Sequence, residues 1–233
     1  MYLEYILDNS LDYLHVASLI KEPCEIVYHT EDSLIFHHLE SDTFVAETSA
    51  PLSAAFLSAL QTASPDLLET TNLALYELLK DQYRYGYQCF QYSFPVPENA
   101  NRDEHLTLLR PEDLDYVIRT YENEDYVREL FERNRLLGYY DHGKLIGYIA
   151  RHVDGTIGAL FVAPEFRRMG YGKRISMAGI SHFSDHVLYS QVLDNNVASI
   201  RLHQLLGAIP SKNKINWMFN REFSFITDTA SKN

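Results

Sequence analysis

Apolar residues near the start of the chain, Leu3, Ile6, Leu7, Leu11, Leu14 and Ile20, recur close to helical spacing and stop before Pro23. That spacing predicts a helix ended by the proline. Three β-branched and aromatic segments follow, Glu25–Thr30, Ser33–Leu39 and Thr43–Thr48, broken by polar clusters at Glu31-Asp32 and Ser41-Asp42. They read as a small antiparallel meander. Two helices are expected next. The second is placed at Ser64-Pro65-Asp66, where a capping serine, a proline in the first turn and an acid near the positive helix end agree, with Leu67, Leu68, Leu75, Leu78 and Leu79 running toward Tyr83. Tyr87–Phe94 reads as a strand. The Pro95-Val96-Pro97-Glu98-Asn99-Ala100-Asn101 run that follows fits neither a central strand nor a helix interior. A domain boundary is placed there, giving an N-terminal module over 1–100 and a second domain over 104–227.

A different rhythm starts at His105. A short strand, His105–Leu109, leads to the helix-start signal Arg110-Pro111-Glu112-Asp113, and a further helix is expected from about Glu124 to Arg133. Strands over Leu136–Tyr140, Lys144–Arg151 and Thr156–Val162 are joined by Asp141-His142-Gly143 and Val153-Asp154-Gly155, and the Asp-Gly pair is a hairpin signal because both residues tolerate positive φ. A helix over roughly 170–183, then strand, helix and two final strands, complete the pattern. The fold class expected is α/β, with a mixed sheet flanked by helices.

Composition adds class and environment. At 233 residues, 46% hydrophobic and 22% charged, the chain reads as globular, with no apolar run long enough to span a bilayer. The start lacks a basic region followed by an apolar stretch, so no signal peptide is read and a cytoplasmic location is the default expectation. Cys24 and Cys89 are too few and too far apart for a disulfide framework, and reduced thiols are expected. The net charge of −12 is uneven: residues 1–100 carry 15 Asp/Glu against 3 Lys/Arg, whereas 101–233 carry 17 of each. The shift supports two modules and excludes a basic nucleic-acid footprint. Adjacent His37 and His38, with His29 nearby, suggest a metal, but neighbours in a strand point to opposite faces, so no metal site is expected.

Candidate chemistry lies in Val162-Ala163-Pro164-Glu165-Phe166-Arg167-Arg168-Met169-Gly170-Tyr171-Gly172, a strand passing through a turn into a helix. Amides in the first helical turn have no intrahelical acceptor and sit beside the positive end of the helix dipole, which makes this arrangement an anion binder. Gly170 and Gly172 lack side chains that would block phosphate oxygens, and Arg167, Arg168, Lys173 and Arg174 form the most basic stretch of an acidic protein. Two glycines at such a turn also serve backbone geometry alone.

The run resembles the acyl-CoA motif of the GNAT acyltransferases, Arg/Gln-x-x-Gly-x-Gly/Ala, after a Val-x-Pro that closes that family's fourth strand. A second stretch, Asn196-Val197-Ala198-Ser199-Ile200-Arg201-Leu202-His203 with Leu206-Gly207-Ala208-Ile209, resembles the family's Asn-x-x-Ala/Ser-x-x-Leu-Tyr and terminal Gly-Phe signature. The resemblance covers roughly His105 to Phe225. It implies acetyl-CoA, or another acyl-CoA, as co-substrate, with Arg167, Arg168, Met169, Gly170, Tyr171, Gly172 and Lys173 at the diphosphate. Asn196 and Ser199 would stand along the pantetheine arm, although their residue types also fit an N-cap and a small packing residue. Phe161 and Val162 map to the backbone that holds the tetrahedral oxyanion.

Acyl transfer to an amine requires removal of a proton from the ammonium, a stabilised oxyanion and a proton for the leaving thiolate. His203 stands where many relatives have the tyrosine acid, so it is the candidate catalytic residue, with packing beside the cofactor as the other reading. Thr156 occupies the position of the family's strand glutamate, so no base is evident, and Glu165 is read as a turn or solvent residue. Tyr139, Tyr140 and Tyr148 could line the acceptor pocket or simply fill a half-buried sheet. The acidic N-terminal module resembles the extra half of two-part, glycine acyltransferase-like members, a degenerate copy of the same fold. Such a module would restrict acceptors to small-molecule amines or amino acids, with no nucleic acid, membrane or metal involved. A homodimer is compatible with the sequence, which does not set the oligomeric state. A non-catalytic acyl-CoA sensor and a protein or peptide N-acetyltransferase are the alternatives.

Overall fold

The computed structural model describes residues 4–6, 11–95 and 103–220. The chain divides into two compact units, the first comprising Met1–Ser93, Gln191–Ile200 and Ile209–Arg221, the second Phe94–Ser190, Arg201–Ala208 and Glu222–Asn233. Its first change of unit adjoins the proline-rich segment. The later returns differ from the continuous 104–227 domain expected from sequence, and the physical cause is a strand pairing. The long strand β11 (Ile209–Phe219) is hydrogen-bonded between β4 (Leu67–Thr70) and β5 (Tyr85–Ser93), antiparallel to both. A ladder to residues more than a hundred positions away leaves no local mark.

The first unit is built on a mixed sheet in the order β1-β2-β3-β4-β11-β5-β10. Strands β1 (Cys24–His29), β2 (Ser33–His38) and β3 (Thr43–Thr48) form the antiparallel meander, and β3 runs parallel to β4. Strand β2 is buried on both faces, which explains its unbroken apolar start. Leu34 and Phe36 pack with Val16 and Leu19 of helix α1 (Leu14–Leu19), while Ile35 faces Phe56 and Leu60 of α2 (Ala54–Ala63). Leu3 and Leu7 of the expected first helix lie outside the described residues.

The helix expected from Ser64 is not there. Ser64 instead ends α2 in the left-handed region at φ 47°, and Leu67, Leu68, Glu69 and Thr70 form β4 with all four residues buried. Helix α3 (Leu73–Leu79) starts later, with the Asn72 side chain accepting from the Leu75 amide at 2.9 Å. A serine followed by proline and aspartate is a good local start signal, but a gap between β3 and β11 is filled by whichever segment can pair, and pairing overrides propensity.

The second unit holds a four-stranded antiparallel sheet, β6 (Leu106–Leu108), β7 (Leu136–Asp141), β8 (Lys144–Arg151) and β9 (Ile157–Val162), in that order. A 3-10 turn at Pro111–Asp113 opens α4 (Leu114–Tyr121), followed by α5 (Glu124–Glu132). Val117, Val127 and Leu130 of these helices cluster with Leu136, Tyr148 and Ala150. On the other face Ile175 and Ala178 of α6 (Tyr171–His182) cluster with Leu137, Ile146 and Ile149. Strand β10 (Tyr189–Leu193) and helix α7 (Val197–Leu205) each pass from one unit into the other. Where two final strands were expected, the described residues contain one, β11, with an irregular register between Pro210 and Lys214.

Candidate active site

Among the described residues strand β9 is the edge of the four-stranded sheet, paired with β8 alone. Its ladder is interrupted: Tyr148 faces Phe161 and Ala150 faces Gly158, so two residues of β9 oppose one of β8, and Ala159 takes a positive φ of 51°. A bulge of this kind re-aims the end of a strand. Beyond it the Ala163 amide donates to the Ile146 carbonyl at 2.9 Å, toward β8. Because successive residues alternate in direction, Val162 turns both its N–H and its C=O to the open edge, whereas Phe161 directs them at β8. Gly147 confirms the latter, since a Cβ there would collide with the Phe161 carbonyl oxygen. Of the two residues expected at the oxyanion, Val162 is the one whose amide faces the open edge.

A 3-10 turn over Pro164–Phe166 carries the chain away from β9. Arg168 at φ 63° and Gly170 at φ 84° then bring it round to the start of α6. Gly170 is the N-cap and no side chain caps the helix. The first intrahelical bond runs from the Arg174 amide to the Gly170 carbonyl at 3.2 Å, so the amides of Gly170, Tyr171, Gly172 and Lys173 are those an α-helix leaves without an intrahelical acceptor. A Cβ placed on Gly170 or Gly172 would meet nothing within 4 Å. The outward space beside the four amides is therefore open, at the end of the helix where partial positive charge accumulates.

The side chains around this turn divide by task. Arg167 folds back onto β9, where its Nε donates to the Val162 carbonyl at 3.0 Å and its guanidinium lies 5.6 Å from the centre of the Phe161 ring. It clamps the strand end. Arg168, Met169 and Lys173 are exposed beside the open amides. The Tyr171 ring stands edge-on to Phe166 at 5.9 Å and to Tyr139 at 6.1 Å, and its hydroxyl donates to Asp141 at 3.4 Å. Glu165 is exposed and pairs with Lys144 at 3.0 Å; a backbone hydrogen bond and that ammonium hold its carboxyl below the usual range.

Phe161 is sandwiched in aromatic contacts: Tyr148 stacks on it at 5.1 Å and Tyr116 of α4 stands edge-on at 6.1 Å. Tyr148, whose hydroxyl is 3.1 Å from Thr120 Oγ1, is buried, and burial pushes its phenol up to about 12. Tyr139 and Tyr140 are buried as well, the latter donating to Asp113 at 2.9 Å beneath the Arg110 guanidinium. These three tyrosines belong to the packed core.

Thr156 is buried and donates to Asp154 at 2.7 Å. His203 is buried on α7, its Nε2 2.5 Å from Ser190 Oγ and its ring 5.3 Å from Phe94. Asn196 and Ser199 belong to the first unit, whereas the 161–173 stretch and His203 belong to the second. Asn196 Oδ1 accepts from the Ser199 amide at 3.1 Å, the cap that its residue type allowed. The bulge at Ala159, the left-handed Arg168 and the Arg167 clamp carry no sequence signal: no glycine stands at either strained position, and the clamp depends on which way the Val162 carbonyl faces.

Comparison with known proteins places this arrangement. The model of the acetyltransferase (GNAT) family matches residues 73–208. A Drosophila protein of known structure is similar over 79% of this chain and 73% of its own, at 20% identity and a TM-score of 0.60. A GCN5-related N-acetyltransferase from Kribbella flavida is similar over 94% and 98%, at 14% identity and TM-score 0.55. A GNAT-family acetyltransferase from Colwellia psychrerythraea is similar over 92% and 95%, at 14% identity and TM-score 0.51. No curated protein sequence matches the chain. At these identities the structures speak for the fold, and the family match extends over more than half the chain: this protein belongs to the GNAT acetyltransferase family.

Proposed function

We propose that the protein transfers an acetyl group from acetyl-CoA, or another acyl group from its CoA ester, to the primary amine of a small molecule or amino acid. The observation that carries this reading is an open strand edge at Val162 followed, after one 3-10 turn, by the uncapped amides of Gly170–Lys173. An extended pantetheine arm can pair with an open strand edge, and a diphosphate suits helix-start amides backed by basic side chains. Arg168 and Lys173 would supply charge there, with Met169 and the Tyr171 backbone beside them, while Arg167 holds the strand end.

In the reaction the amine lone pair attacks the thioester carbonyl carbon and a C–N bond forms. The carbonyl oxygen becomes an oxyanion that the Val162 amide is oriented to hold. The C–S bond then breaks, the thiolate gains a proton and the nitrogen loses one. His203 is our candidate for the thiolate proton, delivered by way of the Ser190 hydroxyl that meets its Nε2. With Thr156 at the usual place of the glutamate, the acceptor has to arrive as the neutral amine, so kcat/KM should rise with pH through the pKa of the acceptor itself. Asn196 and Ser199 are assigned to the pantetheine arm. The first unit is read as the acceptor-restricting half of a two-part, glycine acyltransferase-like enzyme.

The buried, hydrogen-bonded Thr156 also favours a second reading, in which the protein binds acyl-CoA without turning it over. Calorimetry with CoA tests the cradle, and thiol release from acetyl-CoA over a panel of amines, amino acids and peptides tests turnover. Saturable binding with thiol release on small amines supports the enzyme; binding without release supports the sensor; release only with peptides moves the acceptor class. Absence of saturation at millimolar CoA would remove both readings. Full turnover in His203→Phe would remove the proton-donor role.

A further inference from the structure

The β2–β3 turn of the first unit brings together three potential ligands that the acyl-transfer reading does not use. His38 ends β2, Glu40 lies in the turn after it, and Glu22 follows α1. A hydrogen bond from the Leu39 amide to the Pro23 carbonyl, 3.0 Å, holds the two backbone segments side by side. The ligand atoms of Glu22, His38 and Glu40 all lie within 4.8 Å of one another. The opposed faces of adjacent strand histidines are evident: His37 stacks on Phe44 at 4.2 Å and bonds Asp42 at 2.8 Å, leaving His38 alone on the inner face. The histidine pair does not share an ion, but His38 has carboxylates for company.

His38 is fully buried, and its Nε2 makes no hydrogen bond. That nitrogen stands 3.5 Å from Glu22 Oε2. A buried ring nitrogen without a hydrogen bond is costly and calls for a partner. Tetrahedral ligands at zinc-like bond lengths stand roughly 3.4 Å apart, close to this separation. The other ring nitrogen, Nδ1, is 2.7 Å from Ser41 Oγ, and that hydroxyl donates in turn to Thr43 Oγ1 at 2.8 Å. The Ser41 amide also donates to Nδ1 at 3.2 Å, which in the free protein favours a proton on Nε2 facing Glu22. An ion at the carboxylates would displace that proton, and the 2.7 Å hydroxyl is placed to accept an Nδ1 proton in the bound state, the outer-shell arrangement that metal-bound histidines use.

We propose that Glu22, His38 and Glu40 form a binding site for a divalent transition ion, with Zn2+ the best match, which clips the end of α1 to the β2–β3 turn. One imidazole and two carboxylates suit Zn2+ or Mn2+, whereas Mg2+ prefers an all-oxygen octahedral set. The site lies within the first unit, and its role is to stabilise that unit.

The test is calorimetric titration of the metal-stripped full-length protein with Zn2+, together with thermal melting with Zn2+ and with a chelator. The expected result is saturation at one Zn2+ per chain, no competition from millimolar Mg2+, and a higher melting temperature with the metal. Glu22→Gln and Glu40→Gln keep the shape of their side chains, and each should weaken binding by more than about tenfold, a scale that even outer-shell losses reach. No saturation by the wild type would overturn the proposal. So would unchanged affinity in the double Gln variant, because the ion would then sit elsewhere. His38→Gln provides a second check through the same titration, provided circular dichroism shows the wild-type fold.

Discussion

Replacement of Gly170 by alanine isolates the cradle from the rest of the protein. The residue sits at φ 84°, ψ 0°, with nothing within 4 Å of an added Cβ, so the substitution introduces backbone strain and no collision. An L-residue in the left-handed region costs about 1–2 kcal/mol. For a chain of this size that lowers the melting temperature by a few degrees, at about 2–4 °C per kcal/mol. If the turn relaxes to relieve the strain, the amides of residues 170–173 are re-aimed. Loss of a single hydrogen bond to a charged phosphate, roughly 1.5–3 kcal/mol, then weakens CoA by about 10- to 150-fold at 1.4 kcal/mol per decade. Gly143→Ala is the control, since Gly143 also has positive φ, 78°, and open space around it, but lies in the β7–β8 hairpin. We predict that both variants lose similar stability by thermal melting and that only Gly170→Ala loses CoA affinity by calorimetry. Equal affinity losses, or undiminished binding in Gly170→Ala despite the expected fall in melting temperature, would refute the cradle.

Three further outcomes are expected. Asn72→Ala should destabilise the protein by about 1–2 kcal/mol, seen as a lower urea midpoint at unchanged m-value, because Asn72 both caps α3 and donates to the Thr48 carbonyl at 3.0 Å. Tyr148→Ala should cost roughly 3–5 kcal/mol by emptying a core site, whereas Tyr148→Phe should cost about 0.5–1.5 kcal/mol, since Thr120 Oγ1 still reaches the Tyr116 carbonyl at 3.0 Å; chemical denaturation of the pair separates packing from the hydroxyl. His152 stacks on Tyr126 and meets its hydroxyl at 2.7 Å, and burial lowers its pKa against the opposing pull of Asp154. Its folded pKa being below the unfolded value of about 6.5, the unfolded state takes up the proton first. Stability should therefore be intact above that pH and decline as pH falls from it toward the folded pKa. Urea midpoints at pH 7.5 and 5.5 should converge in His152→Gln; an unchanged difference would contradict this.

Local patterning alone determined much of the molecule. The meander of β1 to β3, the hairpin of β8 and β9, helices α4 to α6 and the basic glycine turn are all legible because each is set by neighbours in sequence: alternation, an Asp-Gly pair, a proline at a helix start, two glycines after a strand. The uncapped amides at Gly170–Lys173 were readable for the same reason, since such amides belong to every helix start. Tertiary structure decided what depends on distant partners. Ser64-Pro65-Asp66 carries a helix signal, yet the next four residues form a strand because β3 and β11 flank them. The last long strand joined the first sheet through a ladder to β5 that no window of sequence contains. Val162 rather than Phe161 offers its amide because a bulge opposite β8 sets the direction of the strand end, and Arg167 clamps that end because Val162's carbonyl is left facing outward. His38 illustrates the same limit: the two-residue period of a strand separated it from His37, but only the fold could bring Glu22 and Glu40 beside it.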